Sequence, residues 1–248
     1  MALELANAIT KGKVDRYKRV HFREPTLPEV TVESPCYARS SAMTLGRQSD
    51  LMANTDSRVT IHMAASLDGF IARKDGRVDW LETSDEFAGG DTLDPGFVEA
   101  FLKTIDCYVM GSRTYETALS FEAKGFGWSY GDKPTFVLTS RKLPRTRDTV
   151  EFYSGNLTQF VNMRLRPRFR SIWFVGGGVV AAECLRLGLA DEVRYSILPI
   201  LIGDGIQFFE KLDRDIALHL TEVKAYKSGT VALRYEVRGD RGEPRNDI

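Results

Sequence analysis

The sequence is short of the features that mark several protein classes. Its charges cancel, 34 Lys+Arg against 34 Asp+Glu, which removes the electrostatic footprint that non-specific nucleic-acid binding needs. No apolar run approaches the roughly 18–20 residues that span a bilayer; the longest, such as Ser196–Ile202, are strand-sized. Cys36, Cys107 and Cys184 are odd in number and far apart, so neither a disulfide framework nor a zinc knuckle is indicated. His21, His62 and His219 show no metal-ligand spacing, and His62, among apolar strand neighbours, reads as a satisfied core residue. Met1–Lys11 carries Glu4 early and lacks the basic-then-apolar pattern of a secretory signal, so the cytoplasm is the expected compartment. What remains is ordinary globular composition, and 248 residues suit one domain with an appendage.

Composition changes near Ser57. Residues 1–57 are poor in apolar side chains and interrupted by Pro25, Pro28 and Pro35, so they read as a loosely structured or partly helical extension. Lys11–Arg23 is locally basic, a pattern that usually marks a solvated face. From Arg58 strand and helix signals alternate. Strands are expected at Val59–Ala65, Asp106–Met110, Thr135–Leu138, Val150–Tyr153, Ser171–Val175 and Glu192–Leu201, the last broken by Pro199. Helices are expected at Pro95–Lys103, where Phe97, Val98, Phe101 and Leu102 share a face, at Leu157–Leu165, and at Val180–Leu187 before Gly188. Leu218–Tyr226 and Val231–Val237 read as an antiparallel hairpin. The alternation predicts an α/β three-layer domain over 58–240, with a mostly parallel central sheet and an antiparallel C-terminal hairpin, followed by a polar tail at 241–248.

Four strand ends carry chemistry-bearing residues. Phe174–Val179 runs from a strand through Gly176, Gly177 and Gly178 into a helix; close backbone approach and a helix N-terminus suit a phosphate. A tight turn that needs glycine only for packing is an equal reading. The pattern is neither GxGxxG nor a Walker loop. Val109–Glu116 repeats the theme, with Gly111 followed by Ser112, Arg113 and Thr114. There Thr114 or Ser112 could cap the helix, and Arg113 could pair with a phosphate. Val137–Lys142 delivers Thr139, Ser140 and Arg141 to the end of another strand. Ala64–Ala72 places small residues at a strand end before the Asp68–Gly69 turn, with room for a planar ring. Ligands of open α/β sheets sit outside the carboxyl ends of strands, so together these ends favour a nucleotide site over unrelated turns.

The segments MAASLDGFIA, VMGSRTYE, YGDKPTFVLTSRKLP, FVGGG and ILPILIGDG, in this order, resemble the dihydrofolate reductase-like family, and most closely the C-terminal reductase domain of the riboflavin-biosynthesis deaminase–reductase. The likeness spans about Arg58–Val237. No HxE…PCxxC zinc-deaminase signature occurs. The resemblance implies NADPH as cofactor, a small-molecule pyrimidine or pterin as substrate, reduction of a C=N bond, and a homodimer; neither nucleic acid nor membrane is an expected partner. Carried over by motif, Ala65, Ile71 and Ala72 would hold the nicotinamide carboxamide. Gly111, Ser112, Arg113 and Thr114 would receive the pyrophosphate, with Val175, Gly176, Gly177, Gly178 and Val179 cradling it from the other side. Thr139, Ser140 and Arg141 would take the 2′-phosphate, and a cis peptide is expected at Gly176–Gly177.

A proton donor is less plainly marked. Asp94 and Glu99, at the start and middle of the helix before the VMG strand, are candidates, as are Asp68 and Asp79. Each has a bland alternative as a solvated charge. Ser66, Trp80, Trp128 and Tyr130 are candidate substrate contacts, with packing an equal reading for the aromatic pair in the loop before Lys133. Three functions are carried forward: a 5-amino-6-(5-phosphoribosylamino)uracil reductase, a dihydrofolate reductase activity, and an NADPH-binding protein without turnover.

Overall fold

The computed structural model describes residues 56–81 and 85–238. The expected extension over 1–57, apart from its last two residues, and the tail at 241–248 lie outside them. Elements follow in the order β1 (Arg58–Ser66), β2 (Phe70–Ala72), α1 (Pro95–Lys103), β3 (Cys107–Gly111), α2 (Ser112–Ala123), β4 (Thr135–Leu138) and β5 (Val150–Tyr153). Next come α3 (Leu157–Gln159, continued by a π-helical Phe160–Leu165), β6 (Ser171–Gly176), α4 (Gly178–Arg186), β7 (Glu192–Leu198), β8 (Ile206–Gln207), β9 (Leu218–Ala225) and β10 (Val231–Val237).

Eight strands form one sheet in the order β5-β4-β3-β6-β1-β7-β10-β9. The first six are parallel, and β10 and β9 join antiparallel at the β7 edge. Period-two alternation explains why these segments are central strands. In β6, Ile172 and Phe174 enter one apolar cluster while Trp173 and Val175 enter the other; Cys107 and Val109 of β3 likewise oppose Tyr108 and Met110. The larger cluster takes in Ala181, Cys184 and Leu185 of α4 and Phe160, Val161 and Leu165 of the π-helical turn. The smaller one takes in Phe101 and Leu102 of α1 and Tyr115 and Ala118 of α2. Helices thus flank both faces, as the alternation predicts.

Three details differ from the sequence expectation. The helix expected at Leu157–Leu165 starts under an Asn156 cap, whose side chain accepts from the Gln159 N–H at 2.9 Å, and then widens to π geometry, with Arg166 N–H bonding the Val161 carbonyl. The Glu192 strand stops at Leu198, ahead of Pro199. A small second sheet, β2 with β8, lies beside the main one. Its strands are three and two residues long, too short for a periodic signal.

Glu192 anchors the β1–β7–β10 region. Its fully buried carboxylate accepts from Arg58 Nη1 at 2.8 Å, Arg194 Nε at 2.5 Å and Arg234 Nε at 2.6 Å. Burial pushes its pKa up, but Arg194 and then Arg234 outweigh that and hold the carboxyl below its ordinary value.

Candidate functional site

Two helices begin at adjacent points above the carboxyl edge of the sheet. Gly111 caps α2 and Gly177 caps α4, and neither helix start has a side-chain cap bond. The capping roles considered for Ser112 and Thr114 are therefore corrected: both lie inside α2, whose first N–H groups stay available. A Cβ built on Gly111 would stand 4.0 Å from the Gly177 nitrogen and 3.2 Å from Val180 Cγ2. One on Gly177 would lie 3.8 Å from Ile71 Cδ1 and 3.9 Å from Thr114 Oγ1. Residues from the first, second and fourth motifs thus meet around one gap. Two uncapped helix starts facing one gap form an anion-binding geometry. The Gly176–Gly177 peptide is cis, as the resemblance implies, and Gly176 has φ 131°, where a Cβ would stand 2.7 Å from Met63 Sδ.

The third motif follows β4 and is tied to α2. Thr139 N–H bonds the Tyr153 carbonyl, and Thr139 Oγ1 accepts from the Arg141 N–H at 3.0 Å. Arg141 then forms a two-pronged ion pair with Glu116 of α2, Nη2–Oε1 at 2.6 Å and Nη1–Oε2 at 3.0 Å. The hydrogen bond and charge of Glu116 hold the guanidinium above its ordinary pKa. Ala65, Ile71, Ala72, Val175 and Gly178 are buried supports, whereas Arg113, Ser140 and Val179 are exposed. Glu116 and Met63 escaped the sequence reading. Glu116 stands inside the VMGSRTYE segment, but nothing in the chain order announces a partner 25 residues on.

The carboxylates fare differently. Asp94 is the N-cap of α1, accepting from Gly96 N–H at 2.8 Å, and Glu99 pairs with Lys103 one turn on, both exposed to solvent. Asp79 pairs with Arg73 at 2.7 Å. Asp68 accepts from the N–H groups of Gly203 at 2.7 Å and Ile202 at 3.2 Å. Its slight burial raises the pKa, but hydrogen bonds from the Ser66 side chain and these two amides outweigh it and keep the group below its ordinary value. Held in this way, Asp68 ties the turn after β1 to the loop after β7.

The expected substrate contacts lie in or against the core. Ser66 is buried, and its hydroxyl bonds both the N–H and the carbonyl of Phe70. Trp80 belongs to the larger core and Tyr130 to the smaller. Trp128 sits edge-on to Tyr130 with centroids 5.0 Å apart and carries Arg147 over its ring at 4.0 Å. Local sequence shows the aromatic side chains but not the core that claims them. A separate cleft of about 650 Å³, lined by Leu185, Val193, Phe209, Leu212, Ile216 and Leu218 among others, shares no residue with the glycine gap.

A six-stranded parallel sheet with this strand order, an antiparallel hairpin at one edge and two glycine-capped helices at the carboxyl ends make a dihydrofolate reductase-like α/β fold. Within that fold the chain matches the family model described as the RibD C-terminal domain over residues 128–232. It is 28% identical over 180 residues to the Bacillus subtilis (strain 168) uncharacterized protein YwjB, covering 73% of this chain and 98% of that one. A solved structure from Shewanella sp. PV-4, provisionally assigned to riboflavin biosynthesis, is 28% identical with TM-score 0.60, covering 73% of this chain and 99% of that chain. The Thermotoga maritima diaminohydroxyphosphoribosylaminopyrimidine deaminase/5-amino-6-(5-phosphoribosylamino)uracil reductase shares the fold at 17% identity and TM-score 0.53, over 73% of this chain and 57% of that chain.

Proposed function

We propose that the protein is an NADPH-dependent reductase acting on a C=N bond of a pyrimidine- or pterin-type substrate, most like 5-amino-6-(5-phosphoribosylamino)uracil reductase. The observation that carries this reading is the convergence of three separate segments on one gap, Ile71, Thr114 and Gly176–Gly177, with Arg141 of a fourth tied through Glu116 to the helix that carries Thr114. The glycine gap fits a pyrophosphate, because a side chain at Gly111 or Gly177 would occupy the space that two helix starts leave for it. Similarity to the Shewanella protein, over nearly its whole length, supports the pathway.

NADPH bound there would supply the hydride. The chain's part is to orient and enclose. Gly111, Ser112 and Thr114 with Gly177 and Gly178 would hold the pyrophosphate; Ala65, Ile71 and Ala72 would line the nicotinamide end; Thr139, Ser140 and Arg141 would receive the adenosine phosphate. Asp68 stays ionised and anchors the loop after β7. With Asp94 and Glu99 engaged on α1, the proton for the substrate nitrogen is assigned to solvent. A second reading, cofactor binding without turnover, draws support from the engagement of all four candidate carboxylates, Asp94, Glu99, Asp68 and Asp79.

The proposal extends to a homodimer. Leu218, Leu220 and Val223 of β9 are exposed, and the β9–β10 register puts them opposite Val237, Tyr235 and Leu233, giving the hairpin one continuous apolar face. Such a face on an edge strand suits a second copy.

The test is substrate-dependent NADPH oxidation, alongside direct cofactor binding. The uracil ribosylamine phosphate should be turned over and dihydrofolate should not. Replacing Arg141 by Ala should weaken NADPH about tenfold or more, the scale of a lost charged hydrogen bond, while NADH changes by about twofold at most. Equal losses for both would refute the 2′-phosphate role. Binding without oxidation of any pyrimidine or pterin substrate would select the second reading, and no binding would remove both.

A further inference from the structure

Resting on the cofactor reading above, we infer that Glu116 is a specificity-determining residue that moderates the preference of the adenosine end for NADPH over NADH. The argument begins with Arg141. Both of its terminal nitrogens are engaged by the two oxygens of Glu116, at 2.6 and 3.0 Å. A phosphate needs the same planar fork, since two parallel N–H bonds are what guanidinium offers an anion. An incoming 2′-phosphate therefore meets a neutral pair in place of a bare cation, and must share or displace a carboxylate already seated.

The backbone makes the pair a built arrangement. Thr139 Oγ1 accepts the Arg141 N–H, which turns the chain after β4 toward α2. Glu116 projects from α2, the helix whose Thr114 hydroxyl borders the glycine gap, and its carboxylate turns to Arg141 after β4. The carboxylate thus lies beside the proposed phosphate subsite on the helix that would bind the cofactor. Exposure of both partners, 55% for Arg141 and 41% for Glu116, leaves the pair open to exchange. With NADH the adenosine ribose carries a hydroxyl at this point. Glu116 accepts a hydrogen bond from it without leaving Arg141, as carboxylates do for the ribose of NAD in other folds. One pair then serves both cofactors: Glu116 faces the hydroxyl, and Arg141 faces the phosphate.

Dissociation constants for NADPH and NADH, measured calorimetrically on the whole chain at low and high salt, test the inference. Glu116→Gln keeps the side-chain shape and removes the charge. It should tighten NADPH roughly three- to fivefold, leave NADH unchanged or weaker, and lose part of that gain at high salt. Glu116→Asp, which keeps the charge, should hold the NADPH-to-NADH ratio within about twofold of wild type. Weaker NADPH binding in Glu116→Gln would overturn the inference, making the glutamate a mere prop for Arg141, as would an unchanged ratio. Either result leaves the cofactor reading standing. Failure of the wild-type chain to bind NADPH would overturn both.

Discussion

His62 shows how a single side chain sets a solution property. Its ring stacks on Trp173 with centroids 5.1 Å apart, meets Phe101 edge-on, and shares a hydrogen bond between Nε2 and Ser196 Oγ at 3.2 Å. Burial and then the charge of Arg194 push its pKa down from 6.5 to about 3, against a smaller opposite pull from Glu192. The neutral ring is the folded form. A base depressed on folding binds its proton better in the unfolded chain, so stability is complete above about pH 6.5 and falls as the pH drops toward 3. Denaturant melts between pH 7 and 5 should show that fall in the wild type and a shallower slope in His62→Phe. Parallel slopes would place the proton elsewhere. At this same scale the site was only half legible in the sequence. Glycines after a strand advertise backbone approach wherever they occur, and they meet here as expected. Carboxylates advertise nothing of the kind. Asp94 is consumed by the Gly96 amide two residues on and Glu99 by Lys103, local bonds that a search for acids overlooks.

Among the elements, the start of α4 is the most tightly constrained. A Cβ on Gly178 would stand 2.3 Å from the Gln207 carbonyl oxygen, so the helix rests directly on the β8 backbone. Because backbone cannot step aside as a side chain can, Gly178→Ala should cost about 1–3 kcal/mol. For a domain of this size, that is a drop in Tm of roughly 2–4 °C for each kcal/mol, readable by calorimetry. An unchanged Tm would mean that β8 is free to move away. That contact was hidden in the sequence, since β8 has two residues and no period. Longer elements were plain: Pro95 with the apolar face behind it marks α1, and Thr135–Leu138 and Val150–Tyr153 are bounded as their residue types suggest. The π-helical turn after Gln159 was invisible because its residues have ordinary helical periodicity.

For the molecule as a whole, the proposed dimer rests on the exposed face of the hairpin. Val223 is 56% exposed, and its neighbours across the strands are apolar, whereas Glu222 and Arg234 lie on the reverse face. Light scattering should find two chains for the wild type and one for Val223→Glu, with the monomer's fold intact because the side chain already meets water. A dimer that survives the substitution would locate the interface away from β9. The sheet order has another consequence, for synthesis. β1 emerges first yet lies between β6 and β7, and Thr60 pairs with Glu192, 132 residues later. At about 5–20 residues per second, a ribosome leaves that strand without its neighbour for roughly 7–26 s. Until β6 and then β7 are made, Val59, Ile61 and Met63, which end in the core, lack the neighbours that flank them in the sheet. The central strand is the first to need shelter and among the last to be closed in.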